Sequence, residues 1–347
     1  MIDLPIIWDL SILRSSVDNT SSLQLDYLSK AEIISVQIAY AIMCFLGTIG
    51  NLFTIIAFLR SSELINQPTT KFVVSLATSD FLLCLIYMPI VIALYGNPNI
   101  IESVCPFYPA WAYGLGGISL ITLMAISINK YIMVLHNNIY QKFYTTFNVL
   151  LMIVLIWAST FVFLALPLTG VWGKIDLTGS KQCDMLSYKE GGLNPKVVYT
   201  CVYIFLSLSI MTFCYTAIFI KMRRLKKEMQ EYFSNHDVKD IQVLKMMFIL
   251  FTCYIISTIP FIIINVVNPS NSPQMHIIPT LLLAAQSVIN PFLYAIRNDV
   301  YKPAYIKLYQ DIRSCCSNHS SVSQSNPVST QITFTSQTSY KRPPMAP

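Results

Sequence analysis

Seven long apolar stretches, separated by more polar segments, set the hydrophobic pattern of the chain. A helix needs about 20 largely apolar residues to cross a bilayer, and every stretch reaches that length. The pattern therefore predicts an all-α membrane protein built as a seven-transmembrane helix bundle. The predicted spans are 33–59, 72–95, 104–135, 147–168, 197–220, 246–267 and 277–296.

A shorter apolar stripe follows the last span. Val300, Ala304, Leu308 and Ile312 recur at every fourth position, which indicates one apolar face of a helix over 298–313. That segment is too short to cross a bilayer and suits a short amphipathic eighth helix on the cytoplasmic side. The other predicted parts are an extracellular N-terminal tail over 1–32, the seven-transmembrane domain over 33–297 and a disordered Ser/Thr-rich cytoplasmic tail over 314–347.

The distribution of charge predicts the orientation in the membrane. Only 12% of the residues are charged, against about 25% in soluble domains, so the chain is not an ordinary soluble globule. Seventeen of the 23 Lys and Arg residues lie on the side that holds the C-terminus, and such an excess marks the cytoplasmic side. We expect a multi-pass plasma-membrane protein with an extracellular N-terminus, in contact with membrane lipids and not with nucleic acid.

Cysteines and one short motif predict covalent modifications. Cys105 opens the third span and Cys183 lies in the long outer loop, so both face an oxidising compartment, which favours a disulfide between them. Asn19 begins an Asn-Thr-Ser glycosylation acceptor on the outer side. Cys315 and Cys316 follow the amphipathic segment, where reversible palmitoylation is expected. The alternative for these two residues is a pair of reduced free thiols.

Polar and kink-forming residues inside the spans form an ordered set of motifs. Only Asp80 and Lys130 carry a formal charge there, although a charge near the bilayer centre costs about 2.5 kcal/mol or more. In chain order the motifs are Gly50-Asn51, Ser75 to Asp80, Cys105, Asn129-Lys130-Tyr131, Trp157, Tyr215, Pro260 and Asn290-Pro291-Phe292-Leu293-Tyr294. This order and spacing resemble the rhodopsin-like (class A) G protein-coupled receptors. Within that family, 125–134 and 140–144 are most similar to the invertebrate trapped-in-endoderm and moody receptors.

The resemblance implies a receptor and not an enzyme. An extracellular ligand would move the inner ends of the fifth and sixth spans outward and open a cytoplasmic cleft, where a heterotrimeric G protein exchanges GDP for GTP. The Ser/Thr-rich tail would engage receptor kinases and arrestin. The resemblance assigns coupling and switching to Asn129, Lys130, Tyr131, Asp240, Tyr215, Asn290, Pro291 and Tyr294.

Several positions depart from the family pattern. Lys130 stands where the family has arginine, and lysine is a compact point charge without the planar five-donor fork of arginine. Asp240 occupies the acidic position at the base of the sixth span, so we expect a Lys130–Asp240 ion pair in the silent receptor. Thr258 and Tyr254 stand where the family has Trp and Phe, and Ser207 replaces a proline of the fifth span. The signal is therefore expected to cross the bundle through a different packing step.

A central polar cluster matches the site where this family can hold a sodium ion. A buried charge is expected to be paired or to coordinate a cation, and hard oxygen ligands surround one carboxylate here. The alternative is a protonated or hydrogen-bonded Asp80 in a dry network. No other cofactor is expected. The cluster comprises Asp80, Asn51, Ser119, Ser287 and Asn290.

The resemblance also indicates the class of ligand. Ala112 stands where amine receptors carry an aspartate, and Ala284 stands where opsins carry the retinal-linking lysine. Monoamines and a retinal Schiff base are therefore disfavoured, and a neutral or lipid-like ligand is expected. The alternative is that the candidates only pack helices together, as glycines in membrane helices often do. The candidate pocket residues are Tyr113, Gly116, Gly117, Asn265, His276 and Gln286.

The main rival is a seven-helix transporter that uses Asp80 as its coupling site. Transporters often show related halves and more than one buried acid, whereas Asp80 is the only acid within the predicted spans. A membrane enzyme would need clustered histidines or a Ser/His pair in the membrane, but the four histidines are scattered along the chain.

Overall fold

The computed structural model describes residues 28–105, 107–177, 183–186, 194–228, 248–263 and 273–322. Six helices of this part are long and apolar enough to cross a membrane, and a shorter apolar helix lies between the fifth and the last of them. The predicted fold class, a seven-transmembrane helix bundle, is confirmed. Its helices are α1 (Lys30–Arg60), α2 (Pro68–Gly96), α3 (Tyr108–Leu135), α4 (Thr146–Leu168), α5 (195–228), α6 (Phe248–Ile263) and α7 (Pro273–Arg297).

Local sequence features explain where two of these helices begin. The Ser29 hydroxyl accepts a hydrogen bond from the Glu32 amide (3.2 Å), and the Glu32 carboxylate accepts one from the Ser29 amide (2.7 Å). This capping box satisfies two amides that would otherwise lack partners, so α1 begins at Lys30, before the predicted 33. In contrast, α3 begins only at Tyr108, with Pro109 in its first turn. A separate short helix, Ile101–Val104, precedes it.

Two transmembrane helices contain a π-helical segment that hydrophobic periodicity does not predict. The segments are Leu83–Tyr87 in α2 and Thr200–Leu206 in α5. A π-helical turn rotates the side chains after it relative to a straight α-helix. The segment in α5 therefore changes which face Ser207 and the following residues present to the bundle.

The long outer loop contains a small hairpin. Strands β1 (Lys174–Leu177) and β2 (Cys183–Leu186) pair antiparallel, with Leu177 opposite Cys183. Gly173 precedes β1 with φ of +73°, a conformation that favours glycine. A Cβ atom there would lie 2.7 Å from Pro195 Cγ, so this glycine also permits the close approach of the hairpin to α5.

Helix α3 packs against α2, α4 and α5, while α1 packs against α2 and α7. Close approach of α1 and α7 depends on Gly50, because a Cβ atom at that position would lie 3.2 Å from Pro291. Many large apolar side chains on the outer surface are exposed, such as Phe147 at 74%. In a membrane protein these side chains face lipid, so the apolar surface of the bundle needs no protein partner.

A turn separates α7 from the last helix, α8 (Lys302–Val322). The Asn298 side-chain oxygen accepts hydrogen bonds from the Val300 and Tyr301 amides (2.9 and 3.3 Å). This turn occupies the start of the predicted 298–313 helix, so α8 begins later, and it continues into the predicted disordered tail. The chain divides into two compact units. The first ends at Lys307, and the described part of the second is the rest of α8.

Candidate functional site

A buried carboxylate lies at the centre of the bundle, between α2, α3 and α7. Asp80 is 1% exposed. Its Oδ1 accepts a hydrogen bond from the Ser119 hydroxyl (3.0 Å), and its Oδ2 accepts one from the Asn290 amide (2.7 Å). Ser119 also lies 2.9 Å from the Ser79 hydroxyl. The structure thus brings Ser119 and Asn290 of the predicted cluster onto the Asp80 carboxylate, and the side chain of Ser287 faces the same carboxylate.

Asn51 of α1 joins this network by binding a backbone carbonyl that lacks its helical hydrogen bond because of a proline. Pro291 has no amide hydrogen, so the carbonyl of Ser287, four residues earlier, loses its usual helical partner. The Asn51 amide donates to that carbonyl (2.9 Å) and to the Gly47 carbonyl (2.9 Å). The sequence motifs at Asn51 and Pro291 are therefore physically linked.

The donor set around Asp80 fits a small hard cation. Each carboxylate oxygen accepts one hydrogen bond and has capacity for more. The hydroxyls of Ser119 and Ser79 are oxygen ligands of the kind such cations prefer. The side-chain oxygen of Asn51 is buried and has no hydrogen-bond partner in the part of the chain that the structure describes. The same groups are also compatible with a dry hydrogen-bonded network.

The inner end of α3 carries the predicted coupling triplet. Asn129 is fully buried and accepts a hydrogen bond from the Thr69 hydroxyl (2.8 Å). Lys130 is 5% exposed, with its ammonium nitrogen 3.9 Å from Met133 Sδ. Tyr131 packs near Phe213 of α5, with ring centroids 5.5 Å apart. Asp240 lies outside the described residues, so its ion pair with Lys130 stays a prediction.

Aromatic contacts connect the inner ends of the other helices. Tyr215 of α5 packs on Phe251 of α6 (ring centroids 5.1 Å). Tyr294 of α7 is fully buried, and its ring lies perpendicular to that of Tyr301 (6.0 Å). Tyr301 also packs on Phe58 of α1 (4.6 Å). The predicted switch residues Tyr215 and Tyr294 thus belong to two separate aromatic contacts.

Hydroxyl groups fasten the start of α8 to α1 and α2. The oxygens of Thr54 and Tyr305 lie 2.7 Å apart, and the Thr70 hydroxyl donates to Tyr301 (3.5 Å). Burial raises the pKa of Tyr301 to about 12, so its hydroxyl stays protonated at physiological pH. None of these four residues was among the predicted site residues. The only signal in the sequence was the spacing of Tyr301 and Tyr305, which are one helical turn apart.

The predicted disulfide is present at the outer end. Cys105 and Cys183 are bonded, with their Cα atoms 5.4 Å apart, which joins β2 to the chain just before α3. Cys315 is an exposed free thiol on α8. The Cys316 side chain and Asn19 lie outside the described part of the structure. Palmitoylation and glycosylation therefore stay predictions.

The candidate pocket residues of α3 have different surroundings. Among the described residues, a Cβ atom at Gly116 would meet nothing within 4 Å, whereas one at Gly117 would lie 3.0 Å from Tyr203 and 3.2 Å from the Tyr199 hydroxyl. Gly116 thus borders open space, and Gly117 serves close packing. The Tyr199 hydroxyl donates to the Tyr113 carbonyl (2.8 Å).

The structure says less about the other three pocket candidates. His276 and Gln286 are half-buried on α7, and Asn265 lies outside the described residues. Aromatic side chains of α4 and α5 form a wall that was not among the predicted pocket residues. Tyr199 and Tyr203 stack at 4.6 Å, and Phe163 lies 5.7 Å from Tyr203. The four-residue spacing of the two tyrosines was the available signal.

Comparison with known proteins places this geometry in context. The family model described as 7 transmembrane receptor (rhodopsin family) matches residues 50–294. Protein trapped in endoderm-1 of Drosophila melanogaster is 28% identical over 296 residues, covering 76% of this chain and 74% of the relative. G-protein coupled receptor moody of the same species is 22% identical over 337 residues, covering 76% of this chain and 50% of the relative.

A G0-coupled rhodopsin of Mizuhopecten yessoensis is also similar. It is 27% identical over 300 residues, covering 81% of this chain and 73% of the relative. Similarity therefore extends to opsins as well as to the two receptors expected from the sequence. The chain spans about half the length of the moody receptors that it matches.

Proposed function

Because this chain belongs to the rhodopsin family of seven-transmembrane receptors, we propose that it binds a neutral or lipid-like extracellular ligand and promotes nucleotide exchange on a heterotrimeric G protein. Membership of the family implies signalling through G proteins and a multi-pass membrane location. The observation that carries the proposal is the Asp80 network. It joins helices from both halves of the chain by hydrogen bonds at the centre of the bundle.

The proposed coupling surface is a cleft between the inner ends of α3, α5, α6 and α7. Lys130 and Tyr131 lie at the end of α3, and Tyr131 already contacts α5 through Phe213. Tyr215 and Phe251 join α5 to α6 in the same inner half. An outward movement of the inner ends of α5 and α6 would separate Phe213 from Tyr131 of α3 and open the cleft to a G protein.

A neutral ligand is supported by the described outer part of α3. From 112 to 117 this helix presents no charged side chain, and Gly116 borders open space. Ala284 stands where opsins carry the lysine that forms a Schiff base, so α7 has no amine at that position. Despite the similarity to opsins, we therefore do not expect this chain to bind retinal. An uncharged stretch of α3 beside aromatic side chains of α4 and α5 favours an apolar ligand that makes a few hydrogen bonds.

The decisive experiment measures GTPγS binding by purified Gα subfamilies in the presence of the receptor in nanodiscs, during a screen of neutral lipids. We expect at least one subfamily to respond, and Lys130→Ala to remove the response while the protein stays folded. Arg60→Ala is the matched control, because it removes an exposed inner-side cation from α1, away from the proposed cleft. A folded receptor that stimulates no subfamily, with or without lipid, would contradict the proposal.

We propose that the N-terminus is extracellular and that the protein acts at the plasma membrane. The charge asymmetry supports this orientation, and so does the disulfide in the loop that would then lie outside. An N-terminal epitope tag should be labelled by antibody on intact cells, whereas a C-terminal tag should need permeabilisation. The opposite pattern would reverse the orientation.

We also propose that the Asp80 cluster admits a sodium ion. Sodium should raise the melting temperature of the purified receptor relative to N-methylglucamine at equal ionic strength, since a ligand of the folded state stabilises it. Asp80→Asn should remove the difference. Equal melting temperatures for the parent in both salts would favour the dry network.

The ion pair between Lys130 and Asp240 is a further part of the proposal. Asp240→Ala should raise basal nucleotide exchange if the pair holds the receptor silent. Unchanged basal exchange at equal surface expression would remove this pair from the mechanism. We also propose palmitoylation at Cys315 and Cys316 and recruitment of receptor kinases and arrestin by the Ser/Thr-rich tail.

The transporter alternative is not favoured. Its coupling site would be Asp80, whose two carboxylate oxygens both accept hydrogen bonds within the bundle. Uptake of a solute into proteoliposomes, together with no effect on guanine-nucleotide exchange, would revive it.

A further inference from the structure

Among the residues that the structure describes, three buried hydroxyl groups on α5 and α6 have no hydrogen-bond partner of good geometry. They belong to Ser207 of α5 and to Tyr254 and Thr258 of α6, each at most 2% exposed. Tyr254 and Thr258 lie one helical turn apart, and their oxygens are near each other without forming a direct hydrogen bond of good geometry. Buried polar groups in folded proteins are almost always bonded to protein or to ordered water.

Other hydroxyl residues of the same helices satisfy themselves locally. Ser209 and Thr212 of α5 donate to carbonyls one turn earlier (2.8 and 2.7 Å), and so do Thr252 and Ser257 of α6 (2.9 and 2.7 Å). This back-bonding is the ordinary solution for Ser and Thr in membrane helices. Ser207 and Thr258 make no such bond of good geometry in the described structure, so their hydroxyls are available to a partner other than the carbonyl one turn earlier.

The spacing of the two helices puts these hydroxyls at one level. Tyr215 and Phe251 mark a point where α5 and α6 touch (ring centroids 5.1 Å). As consecutive spans, the two helices run in opposite directions. Ser207 lies eight residues outward of Tyr215, and Thr258 lies seven outward of Phe251. At about 1.5 Å per residue, both lie roughly 10 to 12 Å outward of the contact.

From these observations we propose a buried hydration site between α5 and α6, in which ordered water bridges the hydroxyls of Ser207, Tyr254 and Thr258. A buried water typically makes about three hydrogen bonds, and these side chains supply that number of partners. Apolar packing at this level would leave all three groups unsatisfied. The site is distinct from the Asp80 network of α2, α3 and α7.

The site restrains α5 against α6. This role rests on the proposed function, in which the inner ends of the same two helices move outward. Water-bridged hydrogen bonds between the helices hold the resting arrangement, so their loss makes the movement easier. The existence of the site does not depend on coupling to a G protein, and the two are tested separately.

The first test measures thermal unfolding of the purified receptor in nanodiscs. Ser207→Ala, Thr258→Val and Tyr254→Phe each keep the shape of the side chain but remove a partner of the water. Each should lower the melting temperature by about 2 to 4 °C. Ser209→Ala and Thr252→Val are matched controls, since both residues are exposed to lipid and bond only their own helix; they should shift it by less than about 1 °C.

Coupling between the helices is tested by a double-mutant cycle. Ser207→Ala and Thr258→Val should not be additive, because each disrupts the same bridge. Unchanged or raised melting temperatures in the three isosteric variants, or strict additivity in the cycle, would show that the hydroxyls are dry and overturn the site. A cryo-EM map of the unsubstituted receptor, at a resolution that shows water elsewhere in the bundle, should contain density between these hydroxyls; its absence there would also overturn the site.

The restraint is tested by basal nucleotide exchange. Ser207→Ala should raise basal GTPγS exchange about 2- to 10-fold at equal surface expression, the factor expected from losing one hydrogen bond. Unchanged basal exchange would overturn the restraint. A chain that couples to no G protein would still show the melting-temperature changes, so failure of the proposed function is distinguishable from failure of the site.

Discussion

Replacing Thr54 by valine tests how the start of α8 is held to the bundle. The Thr54 hydroxyl has one proton, which it donates to the Gly50 carbonyl (2.9 Å). The contact with Tyr305 at 2.7 Å must then be a bond that Tyr305 donates and Thr54 accepts. Thr54→Val keeps the shape of the side chain and leaves the Tyr305 hydroxyl without this acceptor.

Thr54→Val and Tyr305→Phe should lower the free energy of unfolding by different amounts. Thr54→Val strands a buried donor, which costs about 1–3 kcal/mol. Tyr305→Phe removes the donor but leaves Thr54 bonded to Gly50, so only the net value of one bond is lost, about 0.5–1.5 kcal/mol. The ring of residue 305 can keep its packing on Phe53 (6.2 Å) and Phe58 (5.6 Å). The double variant should therefore be more stable than Thr54→Val alone.

Thermal unfolding in nanodiscs, followed by tryptophan fluorescence, measures these differences. A loss of 1 kcal/mol lowers the melting temperature of a domain of this size by about 2–4 °C. Thr252→Val is the matched control, because that threonine bonds only the Phe248 carbonyl of its own helix. Additive effects of Thr54→Val and Tyr305→Phe, with no rescue in the double variant, would refute the hydrogen bond as the structure has it.

Four further predictions concern the outer half and the contact between α2 and α4. Cys183→Ser opens a link between residues 78 apart and should cost about 4 kcal/mol on the chain-entropy model, seen as a lower melting temperature that reducing agent no longer affects. Gly117→Ala should destabilise the receptor because its Cβ atom would press on Tyr203, whereas Gly116→Ala should not, since it enters open space. Gly116→Leu should keep surface expression and weaken the response to ligand; an unchanged response would remove this space from the ligand site. Trp157→Phe removes the bond from the indole nitrogen to Ser75 (3.0 Å) and should cost about 1 kcal/mol, with Ser75→Ala adding little in the double variant.

The candidate sites could be predicted only in part. The resemblance named Asp80, Ser119 and Asn290, and the structure shows how their side chains are bonded to one another. The resemblance did not indicate that Asn51 binds the Ser287 carbonyl, which Pro291 leaves without a helical partner. The two bonded residues are 236 positions apart along the chain. Their contact depends on the distance between α1 and α7, which no local sequence pattern encodes.

Neighbouring glycines illustrate the same limit. Gly116 and Gly117 were equal candidates for a pocket, yet one borders open space and the other packs on two tyrosines. Adjacent residues of a helix point about 100° apart, so the rotation of α3 decides which of them lines a cavity. The π-helical segment in α5, Thr200–Leu206, adds a second rotation, which sets the direction of Ser207 relative to Tyr199.

What the sequence by itself determined is the number of membrane helices, the distribution of charge that indicates their orientation, and the disulfide. Each of these follows from local chemistry, because a helix in lipid must satisfy its own backbone hydrogen bonds and needs only length and apolar side chains to do so. What only the tertiary structure decided is which polar groups meet. Tyr305 bonds Thr54, Asn51 bonds the open carbonyl of Ser287, and buried hydroxyls of α5 and α6 have no partner of good geometry among the described residues. These depend on helix rotation, tilt and interrupted hydrogen bonding, which hydrophobicity does not specify.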